Sequence, residues 1–158
     1  YESKKLSLVA DLIDDIKKHN VNLYLPKDVV CSKGLDDLNN IKTFDSDDIP
    51  KGYSCYDIGD KSISVFSNII INSKKVIWNG PMGVFENENF SNGTISIAKK
   101  ISQETIKNSL ISIVGGGDTI SAIKNNNLPI NFTHLSTAGG AFLEYIEGKN
   151  LPGIEVLK

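Results

Sequence analysis

Trp78-Asn79-Gly80-Pro81-Met82-Gly83-Val84-Phe85-Glu86 is the stretch on which the fold turns. An apolar strand end, Val76-Ile77, runs into an Asn, two Gly, a Pro and a closing Glu. Pro81 presets one backbone angle and the glycines admit shapes that other residues avoid. The segment therefore reads as a tight turn at a strand end that then presents one carboxylate. Outward from it, Ile113-Val114-Gly115-Gly116-Gly117-Asp118-Thr119 is a second strand ending in glycines, and Ser136-Thr137-Ala138-Gly139-Gly140-Ala141 is a third such turn. Glycine lets the backbone approach an oxyanion, and a helix starting just beyond aims free N–H groups and a partial positive charge at it. Three turns of this kind read as a phosphate and nucleotide site.

The segments between the turns alternate in type. Residues 4–19 predict an amphipathic helix, with Leu6, Val9, Ile13 and Ile16 spaced by three and four and His19-Asn20 as its stop. Val21 to Leu25 predicts a short strand closed by Pro26. Residues 27–52 are polar and predict a long loop or β-ribbon excursion, with Val29-Val30-Cys31 as the strand-like piece. Strands are expected over Tyr53 to Ile58, Lys75 to Trp78, Leu110 to Val114 (buried on both faces, from its continuous apolar run) and Phe132 to Leu135. Helices are expected over Lys61 to Ile71, Gly93 to Ile106, Asp118 to Asn126 and Gly139 to Glu147, the last with Phe142, Leu143 and Ile146 inward and Gly148 as its C-terminal cap. Order is expected to end at Leu151-Pro152-Gly153. Alternation of this kind predicts an α/β fold, a three-layer αβα Rossmann-like domain over residues 1–158 with a mostly parallel sheet. Ligands then sit at the carboxyl ends of the strands, where all three glycine turns fall.

Each candidate residue has a functional and a structural meaning. Asp118 beside phosphates suits a Mg²⁺ ligand, but Asp118 or Thr119 also suits a helix cap. Gly139 and Gly140 can face a phosphoryl group in transfer, or serve close helix–strand packing. Asn79 can donate to phosphate or brace its loop, Val84 can wall a base or fill the core, and Glu86 can hold ribose hydroxyls or stay solvated. His19 and His134 share no metal spacing. Cys31 and Cys55 form no CxxC pair and lack an adjacent base, so they predict reduced thiols and no nucleophilic role.

The bulk numbers exclude several classes. The 158-residue chain has a net charge of −2 and no Arg, its 17 basic residues all being Lys. That balance argues against nucleic acid as a partner. Phosphate must be held by Lys, backbone N–H groups, a metal or a partner, because the bidentate Arg clamp is missing. No stretch predicts a membrane span. The start at Tyr1 without Met reads as a cut fragment.

Taken in order, the three turns resemble the C-terminal signatures of phosphoglycerate kinase. Leu143-Glu144, Glu147-Gly148-Lys149 and Leu151-Pro152-Gly153 extend the resemblance toward the end of the chain. Leu25-Pro26 with Asp28-Val29-Val30, and Gly52 with Asp57-Ile58-Gly59, carry it upstream. The resemblance implies the nucleotide-binding domain of a two-domain enzyme that moves a phosphoryl group between 1,3-bisphosphoglycerate and MgADP. The N-terminal domain, which brings the Arg-rich clamp and binds 3-phosphoglycerate, would be missing. It further implies that Glu86 binds ribose, that Asn79 lies by the phosphates, and that Pro81 and Val84 lie against adenosine. Gly116, Gly117, Asp118 and Thr119 would take the phosphates and Mg²⁺. Gly117, Gly139 and Gly140 would be catalytic, with Ser136 and Thr137 near the hinge. Cys55-Tyr56 stand beside the adenine where the family has Gly-Leu, Ala138 replaces a Gly, and Asp60 replaces a Pro. ADP or ATP would be the substrate, the parent a cytoplasmic (alternatively plastid) monomer, and the isolated piece a weak ADP binder without turnover. The departures keep an alternative open: a diverged, non-catalytic nucleotide-binding or scaffold module.

Overall fold

A computed structural model describes residues 5–125 and 131–157. In chain order its main elements are α1 (Leu6–Lys18), β1 (Asp28–Ser32), β2 (Lys42–Asp45), β3 (Ser54–Ile58), α2 (Asp60–Ile71), β4 (Lys75–Asn79), α3 (Asn92–Asn108), β5 (Ile111–Gly115), α4 (Gly117–Asn125), β6 (His134–Ser136), α5 (Gly139–Ile146) and α6 (Pro152–Glu155). The predicted α/β fold is present: β4, β5 and β6 form a parallel sheet in that order, with helices flanking it. Register fixes the functional geometry, since Asn79 pairs with Gly115 and Gly115 with Ser136. All three strand ends therefore stand side by side at one rim.

The polar excursion is a β-ribbon, as expected, and it builds a second, antiparallel sheet in the order β2-β1-β3. That sheet is joined to the rest by a buried polar knot. The Asp28 carboxylate accepts from the N–H groups of Lys61 (3.1 Å) and Ser62 (2.8 Å), and from the Ser62 hydroxyl (2.7 Å). Strand β1 thus caps the first turn of α2 from more than thirty residues away, satisfying amides the helix leaves orphaned. Burial alone would push the Asp28 carboxyl up, but these donors outweigh it and hold it below the usual carboxylate range.

The apolar core lies between α2, α3 and the parallel sheet, with Trp78, Ile97, Ile101, Leu110 and Val114 among its members. Helix α3 supplies the largest share of any one element, Ile97, Ala98 and Ile101, because its apolar residues recur on one face, and Leu110 just past its exit is buried as well.

Several expectations are corrected. Val21 to Leu25 is not a strand: it runs as exposed chain with no strand partner among the described residues, the Val21 N–H turning back to the Ile16 carbonyl of α1 at 3.0 Å. Across a groove of about 510 Å³, Asn22, Leu23 and Tyr24 instead face Val76, Ile77 and Trp78 of β4. The Trp78 indole N–H, buried beside that groove, has no acceptor among the described residues. Strand β5 is not buried on both faces. Ser112 and Val114 point under α3, where Ser112 Oγ meets Thr105 Oγ1 at 2.8 Å, while Ile111 is exposed. Helix α5 turns only Phe142 inward, onto Gly115, and leaves Leu143 and Ile146 exposed. Order does not stop at Leu151-Pro152-Gly153, since Pro152 opens the short helix α6, a first-turn position where its missing N–H costs nothing. Gly148 does close α5, with φ +80° and its N–H on the Tyr145 carbonyl at 3.0 Å. The expected helix end at Asn126 lies outside the described residues.

Candidate functional site

The three glycine turns converge. A Cβ placed on Gly116 would stand 2.5 Å from Asn79 Oδ1 and 3.3 Å from Thr119 Oγ1, and a Cβ on Gly139 would stand 3.1 Å from the Gly116 Cα. Gly116 also has φ +95°, a conformation that L side chains rarely adopt. Geometry and crowding together demand glycine there. The turns after β4, β5 and β6 thus meet around one residue.

What faces outward at this junction is main chain. Gly117 and Gly140 have open space where a side chain would be. By helix geometry, the amides of Gly117, Asp118 and Thr119 have no carbonyl partner within α4, and the first amides of α5 have none within α5. Asp118 is exposed in the first turn of α4. Thr119 is wholly buried, and its hydroxyl accepts the Gly80 N–H at 2.8 Å, so its side chain ties the β4 turn to α4. Ser136 is half-buried at the end of β6, and Thr137 is exposed beside it, accepting the Gly139 N–H through its carbonyl at 3.2 Å.

The Asn79–Glu86 loop is pinned along its length. The buried Thr94 hydroxyl accepts from the N–H of Met82 (2.9 Å), and Val84 N–H donates to the Tyr56 carbonyl at 2.8 Å. The buried Asp57 carboxylate accepts from the N–H groups of Gly93 and Ile58, both at 2.8 Å. It lies so close to Gly83 that a Cβ there would come within 2.4 Å of Oδ1. Burial pushes the Asp57 carboxyl above the usual range, and its two amide donors pull the other way without overcoming it. Asp57 and Thr94 are positioning residues to which the sequence reading assigns no role, Asp57 entering it only within the Asp57-Ile58-Gly59 signature. Asp57 could have been found as the lone carboxylate in the Tyr56-Asp57-Ile58-Gly59 strand end; Thr94 carries no signal.

Between this loop and β3 lies a cavity of about 350 Å³ whose walls include Pro26, Cys55, Tyr56, Pro81, Met82 and Val84. Tyr56 is held in place by the Phe90 ring, with centroids 4.9 Å apart. Glu86 is not in this cavity but on the far side of Val84, in a second hollow with Leu35, Asp36 and Asn87. Pro81, Val84, Cys55 and Tyr56 are therefore brought together, with Glu86 at the adjoining edge. No group of His, Cys, Asp and Glu among the described residues could hold a metal by itself. His19 and His134 are both exposed.

Known proteins share this sequence and geometry. A family model described as phosphoglycerate kinase matches residues 1–149. The chain is 44% identical over 156 residues to a cytosolic phosphoglycerate kinase of Crithidia fasciculata, covering 99% of this chain and 37% of that protein. It is 44% identical over 154 residues to a phosphoglycerate kinase of Thermosipho africanus, covering 97% of this chain and 38% of that protein. The solved phosphoglycerate kinase of Coxiella burnetii superposes with a TM-score of 0.89 at 36% identity, over 99% of this chain and 40% of that one. The chain thus spans little more than a third of the length of these relatives, which include glycosomal as well as cytosolic forms.

Proposed function

Because this chain belongs to the phosphoglycerate kinase family, we propose that it is the part of such an enzyme that binds MgADP and MgATP. The reaction is phosphoryl transfer between 1,3-bisphosphoglycerate and ADP, with the sugar acid and its basic clamp supplied from outside these 158 residues. The observation that carries the reading is the meeting of three glycine turns at Gly116, beneath two helix starts.

In this reading the adenine enters the cavity walled by Cys55, Tyr56, Pro81 and Val84. The ribose hydroxyls reach toward Glu86. The phosphates run to the Gly116-Gly117 turn, where the amides of the exposed Gly117 and Asp118 can reach them, Asn79 lies alongside and Thr119 stands beneath. Gly139 and Gly140, at the start of α5, bring a second set of amides to the phosphoryl group in transfer, with no Cβ at Gly140 to obstruct it. Ser136 and Thr137 lie where the chain would hinge against the rest of the enzyme. The chemistry needs no covalent intermediate with the protein: the residues position the nucleotide and stabilise spread negative charge.

The residues present fit Mg²⁺. Its usual arrangement is one or two carboxylates plus phosphate oxygens and waters, which one exposed Asp118 beside an amide-lined phosphate path can satisfy. When bound, the ion neutralises charge on the phosphates. Cytosolic residence is proposed by likeness to the cytosolic relatives.

Calorimetric titration with MgADP tests the reading on the wild type and on Asp118→Ala. Binding by the wild type that weakens about tenfold or more in the variant is expected for a ligand-holding carboxylate. Equal affinity in both removes the metal role from Asp118, and no binding to the wild type at its natural length removes the nucleotide reading.

A further inference from the structure

Cys31 and Cys55 lie far apart in sequence but face each other across the β1–β3 pair, in register as direct Cα partners. Their sulfurs are 3.4 Å apart, with the Cys31 thiol donating to Cys55 Sγ. Cys31 is completely buried and Cys55 is exposed. Direct partners in an antiparallel pair have Cα atoms about 4.5–5.5 Å apart, inside the range of about 4.4–6.8 Å that a disulfide spans. A sulfur–sulfur bond of about 2.05 Å needs the two atoms to close by only about 1.4 Å. The ladder already shifts register between Val30 and Cys31, a local irregularity that lets the strand adjust.

We propose that Cys31 and Cys55 form a reversible oxidation site that takes a hydroperoxide: Cys55 is the thiol oxidised first and Cys31 resolves it to an intramolecular disulfide. In the first step Cys55 sulfur attacks the terminal peroxide oxygen. The O–O bond breaks, Cys55 becomes a sulfenic acid, and the leaving oxygen takes the thiol proton to depart as an alcohol, or as water when the oxidant is hydrogen peroxide. In the second step Cys31 sulfur attacks Cys55 sulfur. The S–O bond breaks, and hydroxide leaves as water with the Cys31 proton. Two thiols are oxidised by two electrons in total, and one hydroperoxide is reduced.

The asymmetry assigns the order. An oxidant from solvent reaches only Cys55. Cys31 is also kept as a thiol: burial, and then its bond to Cys55 and that neighbour's charge, push it up to about 12. The consequence concerns the adenine cavity and rests on the nucleotide reading above. Cys55 forms part of its wall. Without a resolving partner, sulfenic acid proceeds to the irreversible sulfinic acid and places an anion there. With Cys31 beneath it, the wall stays neutral and a reductant restores it.

The test treats the reduced chain, at its natural length, with hydrogen peroxide and maps peptides without reduction. The expected result is loss of both free thiols and a Cys31–Cys55 linked peptide that dithiothreitol releases. In Cys31→Ser, and in Cys31→Ala as a second variant in case the buried hydroxyl harms folding, Cys55 is expected to advance to sulfinic acid. A wild type in which Cys55 accumulates as sulfinic acid, or pairs only between molecules, while Cys31 stays alkylatable after denaturation, overturns the proposal. These readouts use no nucleotide, so they stand even if MgADP fails to bind. Where it does bind, peroxide treatment followed by dithiothreitol is expected to leave wild-type affinity unchanged and to weaken that of Cys31→Ser. Equal losses in both overturn the protective role.

Discussion

Helices α1 and α3 are written in the same amphipathic code and meet opposite fates. Helix α3 buries seven residues, among them Thr94, Ile97, Ala98 and Ile101. Helix α1 buries none, and Leu6 and Leu12 are 57% and 56% exposed. Periodicity specifies that a helix forms and which face is apolar. Whether that face is covered depends on a partner surface. α3 has the parallel sheet, α2 and α4 around it, whereas α1 has no comparable surface among the described residues. The groove between Asn22–Tyr24 and β4 is likewise open. The candidate site adjoins that groove, Met82 lining both the groove and the cavity beside β3, but its convergent turns are held by packed elements.

Substitutions can break this contrast. Ile101→Ala should cost the most, about 2–5 kcal/mol, because it opens a cavity where the side chain is 1% exposed. A denaturant midpoint that hardly moves would mean that the α3 core is loosely packed. Asp28→Asn comes next, losing about 1.5–3 kcal/mol at neutral pH as the donors of Lys61 and Ser62 lose a charged acceptor. The sign follows from the lowered carboxyl. Its contribution is fully present above the ordinary Asp value of about 3.9 and is lost as pH falls through the lower folded value. The gap between wild type and variant in urea melts should therefore shrink below about pH 4. Asp57 runs the opposite way: its raised carboxyl makes its contribution grow as the solution is acidified toward the ordinary range.

Gly116→Ala should cost at least about 1–2 kcal/mol for the positive φ alone. It should also displace Asn79 and depress MgADP affinity measured by calorimetry, whereas an unchanged affinity would separate the turn from the nucleotide. Leu12→Ala should fall within about 0.5 kcal/mol of the wild type, as an exposed substitution does. A loss as large as that of Ile101→Ala would show that α1 is covered in the molecule tested, and the contrast between the two helices would vanish.

Much of this architecture is legible in the amino-acid sequence. The glycine turns and the alternation of periods point to the parallel sheet and its functional rim, because those signals are local. Legibility ends where structure depends on distant neighbours. Val21–Leu25 has strand composition but no described strand to pair with, and the second face of β5 and the outer face of α5 have the composition of covered surfaces and are not covered. At the site, Thr119 reads equally well as ligand, cap or brace. Only the Gly80 amide 2.8 Å from its hydroxyl assigns that oxygen to bracing. Thr94 and the Cys31–Cys55 pair are invisible as features of the sequence, since their meaning comes from residues up to a few tens of positions away.

Trp78 is the sole tryptophan of the chain, one residue before Asn79, buried at the groove with its ring N–H unbonded among the described residues. Its fluorescence therefore belongs to one identifiable place. Whatever fills the groove or supplies an acceptor to that indole will alter the emission, and so will a ligand that shifts the end of β4. The chain carries its own optical gauge where its core meets the open groove.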